Sequence, residues 1–498
     1  MSYFLLTYSL LFLPFIMVIY QLFPRKHRSK LLLFMSYLFF YRLSGVLIIY
    51  LMFATLVTYV NGYVMSVIPE KTGLKGKELV KRKRIVLALG IIINMMMLVS
   101  LKYLRVFGIG TSWLAPIGIS YYTLQTISFM TDVYRGTVKF DGKIIKLALY
   151  LSFFPQIMEG PISRYNEVAD DLYSGNPINY ENLTSGYQRM LWGLFKKMLI
   201  ADRLTLLVSR IFTRYDRLDG AAILIGAICF TIQLYMEFSG GMDIILGSGE
   251  VFGIKLPENF RRPFFAKNAS EFWRRWHITL GSWLKDYIFY PISLAKPLRK
   301  VTKKCKKLFG SNVSKFVAPS VALFFVWLGN GIWHGPRLNY LFYGMYYFVI
   351  IFLENILEAP SKKLTNKLKI SRESKGFIIF QRLKLIVIVV NGEMFFRANS
   401  LKAGFVMFTR IFTDFDLRCL VETNFGIDVY DGILVFVFCI FVLVVEIFLE
   451  KGVDIRKKIA AKNIPVRWCV WYGLIIMIII FGAYGKGYSI AEMMYAAY

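Results

Sequence analysis

Histidine is scarce in this chain, with three in 498 residues. Cysteine is nearly as scarce: Cys229, Cys305, Cys419, Cys439 and Cys469 are the five, and no two form a C-x-x-C pair. That leaves no spacing suited to a zinc site or a disulfide framework, so most of the cysteines read as small core residues and no metal is expected. Acidic residues number 31 against 61 lysines and arginines. The chain has no G-x-S-x-G, no Walker loop and no H-E-x-x-H, which sets aside serine-hydrolase, nucleotide-driven and zinc-protease chemistry. Long polar stretches are missing too, so nothing suggests a separate soluble domain.

What is present is apolar. Hydrophobic residues make up 56% of the sequence, and the mean hydropathy is +0.52. Apolar segments fall near 3–23, 31–41, 45–68, 85–104, 112–130, 144–158, 187–212, 221–249, 316–334, 338–357, 376–395, 431–450 and 468–484. At the ~20 residues a helix needs to span a bilayer, they predict about 10–13 membrane-embedded helices in a single all-α, polytopic domain over residues 1–498. The first stretch, Tyr3 to Phe23, has its basic cluster after it. A secretory signal has the opposite charge order, so a retained anchor is expected.

The net charge of +30 sits in short connectors, namely Lys71 to Arg84, Lys296 to Lys307, Lys362 to Lys375 and Lys451 to Arg467. This is the pattern of cytoplasmic loops, whereas the acidic connector Asp414 to Asp431 belongs outside. Both termini, including the aromatic tail Met493 to Tyr498, are then expected on the outer side of a plasma membrane. No basic-aromatic surface of the kind that binds nucleic acid appears.

His27 lies in the basic stretch Arg25-Lys26-His27-Arg28 and reads as a solvated residue. The other two histidines stand beside tryptophans in apolar surroundings: Phe272-Trp273-Arg274-Arg275-Trp276-His277 and Asn330-Gly331-Ile332-Trp333-His334-Gly335. Imidazole moves protons near neutral pH, and ionisable groups at membrane depth are functional candidates. His334 precedes Gly335-Pro336, a helix break next to Asn330 and Gly331, where a cavity could open. A buried imidazole bonded to a backbone carbonyl would need no function, and residue type leaves both readings open.

Pro257 to Lys307 mixes cations with aromatics, including Arg261, Arg262, Arg274, Arg275, Trp273, Trp276 and Trp283. The mix predicts a basic amphipathic helix in the membrane interface, with or without a part in the chemistry. Gln233, Glu237, Ser239 and Asp243 punctuate another apolar run beside Gly240 and Gly241, which predicts a broken helix lining a cavity. Glu159 and Arg164 lie in Phe153 to Tyr165 and could serve substrate or simply pair to hold helices together. Pro116 to Tyr122 reads as a kinked or re-entrant element.

Taken together, Glu258-Asn259-Phe260-Arg261-Arg262-Pro263-Phe264, Phe272 to Leu280, Trp283-Leu284-Lys285-Asp286-Tyr287 and Gly331-Ile332-Trp333-His334-Gly335 resemble the membrane-bound O-acyltransferase (MBOAT) family. Pro116 to Thr123, Asp132 to Gly136, Phe154-Pro155-Gln156, Gly160 to Arg164, Phe238-Ser239-Gly240, Phe396-Arg397-Ala398 and the aromatic tail resemble its bacterial polysaccharide-acetylating branch, alginate acetylation included. Glu237 and Gly241 depart from that branch, which often has aspartate and tyrosine there.

The resemblance implies a helical bundle around a transmembrane tunnel, with interfacial and re-entrant helices. It implies His334 as general base and His277 as a second site histidine. Trp333, Asn330, Gly331, Trp276, Gln233, Glu237, Ser239, Asp243, Arg164 and Glu159 would bind substrate or line the tunnel. Arg261, Arg262, Arg274 and Arg275 would face an anionic donor. No permanently bound cofactor is implied. The donor would be an acyl thioester, acetyl-coenzyme A or a cytoplasmic acyl carrier protein, and the final acceptor a polysaccharide reached through an extracytoplasmic partner protein. Within the same class D-alanyl transfer to teichoic acids is the rival. A transporter using Glu159, Glu237 and Asp243, or a scaffold for envelope synthesis, would be a different class of protein.

Overall fold

The structure, a computed structural model, describes residues 7–103, 115–418 and 425–484. Among those residues the regular structure is helical, with one isolated antiparallel bridge between Phe260 and Trp276. Cys419 and the aromatic tail lie outside the described residues.

Seven stretches are long and apolar enough to cross a membrane: Arg25–Thr72, Gly76–Lys102, Gly220–Val251, Ser311–His334, Leu338–Lys367, Val429–Glu450 and Ile464–Phe481. The first is two helices, Arg28–Ser44 and Ile48–Thr72, joined by a single 3-10 turn at Gly45–Leu47. Other expected spans are shorter or interrupted. The segment 144–158 forms a helix only over Ile144–Ser152. Segment 187–212 contains a π-helical turn, Lys197–Ala201. The Val429–Glu450 helix buries Val435, Phe438 and Val442, while Phe436 stays 66% exposed. Apolar side chains in that number on an outer face have no place in water and suit lipid. The chain is an all-α, multi-pass membrane protein.

The described residues divide into two compact units. One comprises the chain up to Leu194 together with Gly241–Glu258. Its Ile48–Thr72, Gly76–Lys102 and Ile119–Arg135 helices pack on each other. Arg189 there forms ion pairs with Asp243, Glu250 and Glu258 at 3.0, 3.0 and 2.7 Å. The other unit comprises Phe195–Gly240 and the described residues from Asn259 to Tyr484. It holds both tryptophan-flanked histidines.

In this second unit Ser311–His334 and Leu338–Lys367 form an antiparallel helical hairpin across the short turn at Gly335-Pro336-Arg337. Glycines set their separation. A Cβ on Gly331 would lie 2.7 Å from the Tyr340 carbonyl oxygen, and one on Gly344 would lie 2.4 Å from the Trp327 carbonyl oxygen. Small residues let helix backbones approach this closely in membranes. Lys375–Arg397 packs against the second arm of the hairpin.

Pro257 to Lys307 differs from the single amphipathic helix expected of it. It is a chain of short pieces: a 3-10 turn Pro263–Phe265, helices Ala269–Arg275, Ile278–Leu284 and Tyr290–Ser293, a π-turn Lys285–Phe289, and the helix Lys296–Phe309. The bridge at Trp276 and the left-handed backbone of His277 break the first half, and Pro291 and Pro297 each permit a fresh helix start. Only Lys296–Phe309 has the expected character, with no buried residue and no acid.

Candidate active site

His334 is the last residue of its helix and is 3% exposed. The helix stops because Gly335 and Pro336 follow. Trp327, Asn330, Gly331 and His334 are all buried, and their 3–4-residue spacing places them on one helix face. Aromatic rings enclose the imidazole. Phe396 meets it edge-on at 5.0 Å and 83°, Tyr343 at 6.0 Å and 89°, Trp333 at 5.0 Å and 76°, and Tyr340 at 6.2 Å. A ring packed on that many sides is confined to one orientation.

His277 is also 3% exposed. It joins two short helices in a left-handed conformation, φ 47 and ψ 50. For a residue with a Cβ this costs of order 1–2 kcal/mol, so the surroundings must impose it. Asn259 does so. Its Oδ1 accepts from the Thr279 backbone N–H at 3.1 Å and the Thr279 hydroxyl at 2.9 Å, while its carbonyl accepts from the Ile278 N–H at 3.0 Å. The same Oδ1 lies 3.3 Å from His277 Nδ1. Because Oδ1 is already an acceptor, the ring proton belongs on Nδ1, and Nε2 keeps its lone pair. Burial pushes this imidazole down to about 3, so it is neutral at physiological pH.

Trp333 joins the two histidines: its ring lies 5.7 Å from His277 and 5.0 Å from His334. Phe238 closes the other side of His277 at 4.9 Å. Trp276 packs on Phe272, Phe260 and Tyr235. Trp273 reaches Trp327 at 4.9 Å and Tyr347 at 4.8 Å. One aromatic cluster thus connects both motifs. Asn330 Oδ1 is buried within the unit with no hydrogen-bond partner among the described residues.

The remaining candidates fall into separate groups. Gln233 donates to the Thr205 hydroxyl at 3.0 Å, and Ser239 accepts from Lys196 at 2.9 Å. Glu237 lies 3.6 Å from Lys197, which also pairs with Asp202 at 2.6 Å, all three buried. Arg262 and Arg275 both pair with Glu450, at 2.6 and 2.9 Å, and Arg275 also with Glu271. Arg261 and Arg274 remain exposed. Glu159 and Arg164 are buried in the first unit, which also holds Asp243 in its pair with Arg189. The helix predicted to break at Gly240-Gly241 runs on through them, from Gly220 to Val251. Among the described residues no three His, Cys, Asp or Glu side chains cluster as metal ligands.

Four residues near the histidines escaped the sequence reading as individuals: Asn259, Tyr340, Tyr343 and Glu393. Glu393 carried a signal, being the single acid in the apolar run 375–397. The two tyrosines, three residues apart on an aromatic-rich helix, look like any core position.

Two buried histidines and an aromatic enclosure within a multi-pass helical fold form the candidate site. The chain belongs to the MBOAT, membrane-bound O-acyltransferase family, whose model matches residues 1–304, His277 included. It is therefore an O-acyltransferase. It is similar to a probable alginate O-acetylase of Pseudomonas aeruginosa, 30% identical over 82% of this chain and 74% of that protein. A peptidoglycan O-acetyltransferase of Helicobacter pylori is 29% identical over 56% of this chain and 57% of its own length. A teichoic acid D-alanyltransferase of Bacillus subtilis is 29% identical over 50% of this chain and 60% of its own length.

Proposed function

We propose that this chain moves an acetyl group from a cytoplasmic thioester, acetyl-coenzyme A or an acyl carrier protein, across the membrane for O-acetylation of an extracytoplasmic polysaccharide. The observation that carries this reading is His334, buried at the end of a membrane-crossing helix and locked by four aromatic rings. His334 takes the proton of the acceptor hydroxyl as its oxygen attacks the thioester carbonyl. The C–O bond forms, the C–S bond breaks, and the departing thiolate takes the proton from the imidazolium. Positioned proton transfer of this kind contributes ~10²–10⁴ in rate. His277, neutral and rigidly held, supports the site from the far side of Trp333. A separate extracytoplasmic protein would receive the acetyl group and pass it to the polymer. Both termini would lie on the outer side, a reading supported by the charge of the connectors.

Acetyl rather than D-alanyl transfer is supported by coverage: relatives named for alginate acetylation match 82–84% of this chain, against 50% for the Bacillus D-alanyltransferase. The test is base-released acetate and D-alanine from the envelope of a deletion strain, complemented with wild type or with membrane-inserted His334→Ala. Loss of acetate alone in the variant is expected. Loss of D-alanine instead would move the chain to teichoic acids. No change in either would remove His334 from the chemistry.

A further inference from the structure

Glu393 is 1% exposed, deep in the second unit. One carboxyl oxygen, Oε1, accepts from the Tyr343 hydroxyl at 2.9 Å. The other, Oε2, is buried with no hydrogen-bond partner among the described residues. Burying a carboxyl group costs several kcal/mol, whereas one hydrogen bond between membrane helices is worth about 0.6 kcal/mol on average. Tethering two helices does not account for such a group.

Its position does. Tyr343, which it holds, meets the His334 imidazole edge-on. Phe396, three residues further along the Lys375–Arg397 helix and on the same face as Glu393, packs on both Tyr343 and His334 at 5.0 Å. The three rings form a closed triangle. Of the two rings that face the imidazole in this triangle, Tyr343 carries a hydroxyl by which its angle can be fixed, and Glu393 accepts the hydrogen bond from it.

We propose that Glu393 is a positioning residue for acyl transfer, acting through the Tyr343 hydroxyl to hold the His334 imidazole in its reactive orientation. This rests on the assignment of His334 above. With the hydrogen bond removed, the Tyr343 ring can tilt and the imidazole with it, and small misplacements of a catalytic group are costly.

The experiment measures labelled acetate incorporated into base-labile envelope ester, per inserted protein, in cells fed labelled acetate. It compares wild type, Tyr343→Phe, Glu393→Gln, Glu393→Leu, the double variant Glu393→Leu with Tyr343→Phe, and His334→Ala as the reference blank. Glu393→Gln retains an acceptor oxygen for Tyr343 and should stay within about threefold of wild type. Tyr343→Phe and Glu393→Leu should each fall about tenfold or more, with the midpoint of thermal unfolding little moved. The double variant should fall no further than Tyr343→Phe alone, because the two residues act through one bond. Incorporation by Tyr343→Phe within twofold of wild type overturns the proposal, whether or not the Glu393→Leu proteins insert. So do effects of the two substitutions that multiply. Activity persisting in His334→Ala would instead sink the assignment of the histidine itself.

Discussion

The Trp333 ring meets the His277 imidazole at 5.7 Å and 70°, although the two residues stand 56 positions apart in the sequence. Since His334 is the next residue, this one indole fixes the spacing of both histidines. Replacing it with alanine should therefore disturb the two at once. Trp333→Ala is expected to lower acetate transfer about tenfold or more, with Trp333→Phe intermediate because an aromatic spacer remains. Incorporation of labelled acetate into envelope ester checks this, and equal activity in the two variants would refute it.

Asn259 should matter more for stability than its size suggests. Its side-chain oxygen is the acceptor for the Thr279 N–H and hydroxyl. Asn259→Ala strands both donors in a buried place, at about 1–3 kcal/mol for each. The expected result is a clear drop in the unfolding midpoint in detergent. Asn259→Asp, which keeps an acceptor there, should retain more of it.

His277 also makes stability depend on pH. Folded, its pKa lies near 3, while in the unfolded chain it returns to about 6.5. Between those values the unfolded chain binds the extra proton, so this contribution is intact above about pH 6.5 and drains away as pH falls toward 3. The unfolding midpoint should decline from pH 7 to pH 5. His277→Gln, which does not titrate, should flatten that decline; identical slopes would count against it.

Lys197 has no side-chain exposure and pairs with Asp202 and Glu237. Lys197→Met would remove this cation from two buried carboxyl groups, and losing one partner of a buried pair typically costs about 3–5 kcal/mol. Low yield of inserted protein is expected, with partial recovery when Glu237→Gln is added. A cluster that drove solute coupling instead would insert normally and lose flux.

Much of this was legible in the sequence. Apolar runs of spanning length mark the helix at 429–450 to within two residues and the helix at 464–481 to within four, because lipid imposes length and hydrophobicity together. The two histidine motifs were equally plain, since few polar groups compete for attention in apolar surroundings. Pro257 to Lys307 was not. Its composition fits an amphipathic helix, yet Trp276 and His277 turn inward through a left-handed backbone that depends on Asn259, a tertiary contact no periodicity encodes. Glu237 and Asp243 share one helix and look alike in sequence, but each meets a different cation, Lys197 and Arg189. The pairing of Glu393 with Tyr343 spans 50 positions and was likewise invisible.

Asn339 donates to the carbonyls of Phe395, Phe396 and Ala398 at 3.3, 3.1 and 3.0 Å. One turn on, Tyr343 binds Glu393. The Leu338–Lys367 helix is thus pinned twice to one neighbour and seated, at Gly331 and Gly344, backbone to backbone on the other. Sliding any of the three past its neighbours would break several of these attachments together. The walls around His334 behave as a vice rather than a hinge, and under the proposed mechanism the reactants would have to shift until they come to the stationary imidazole.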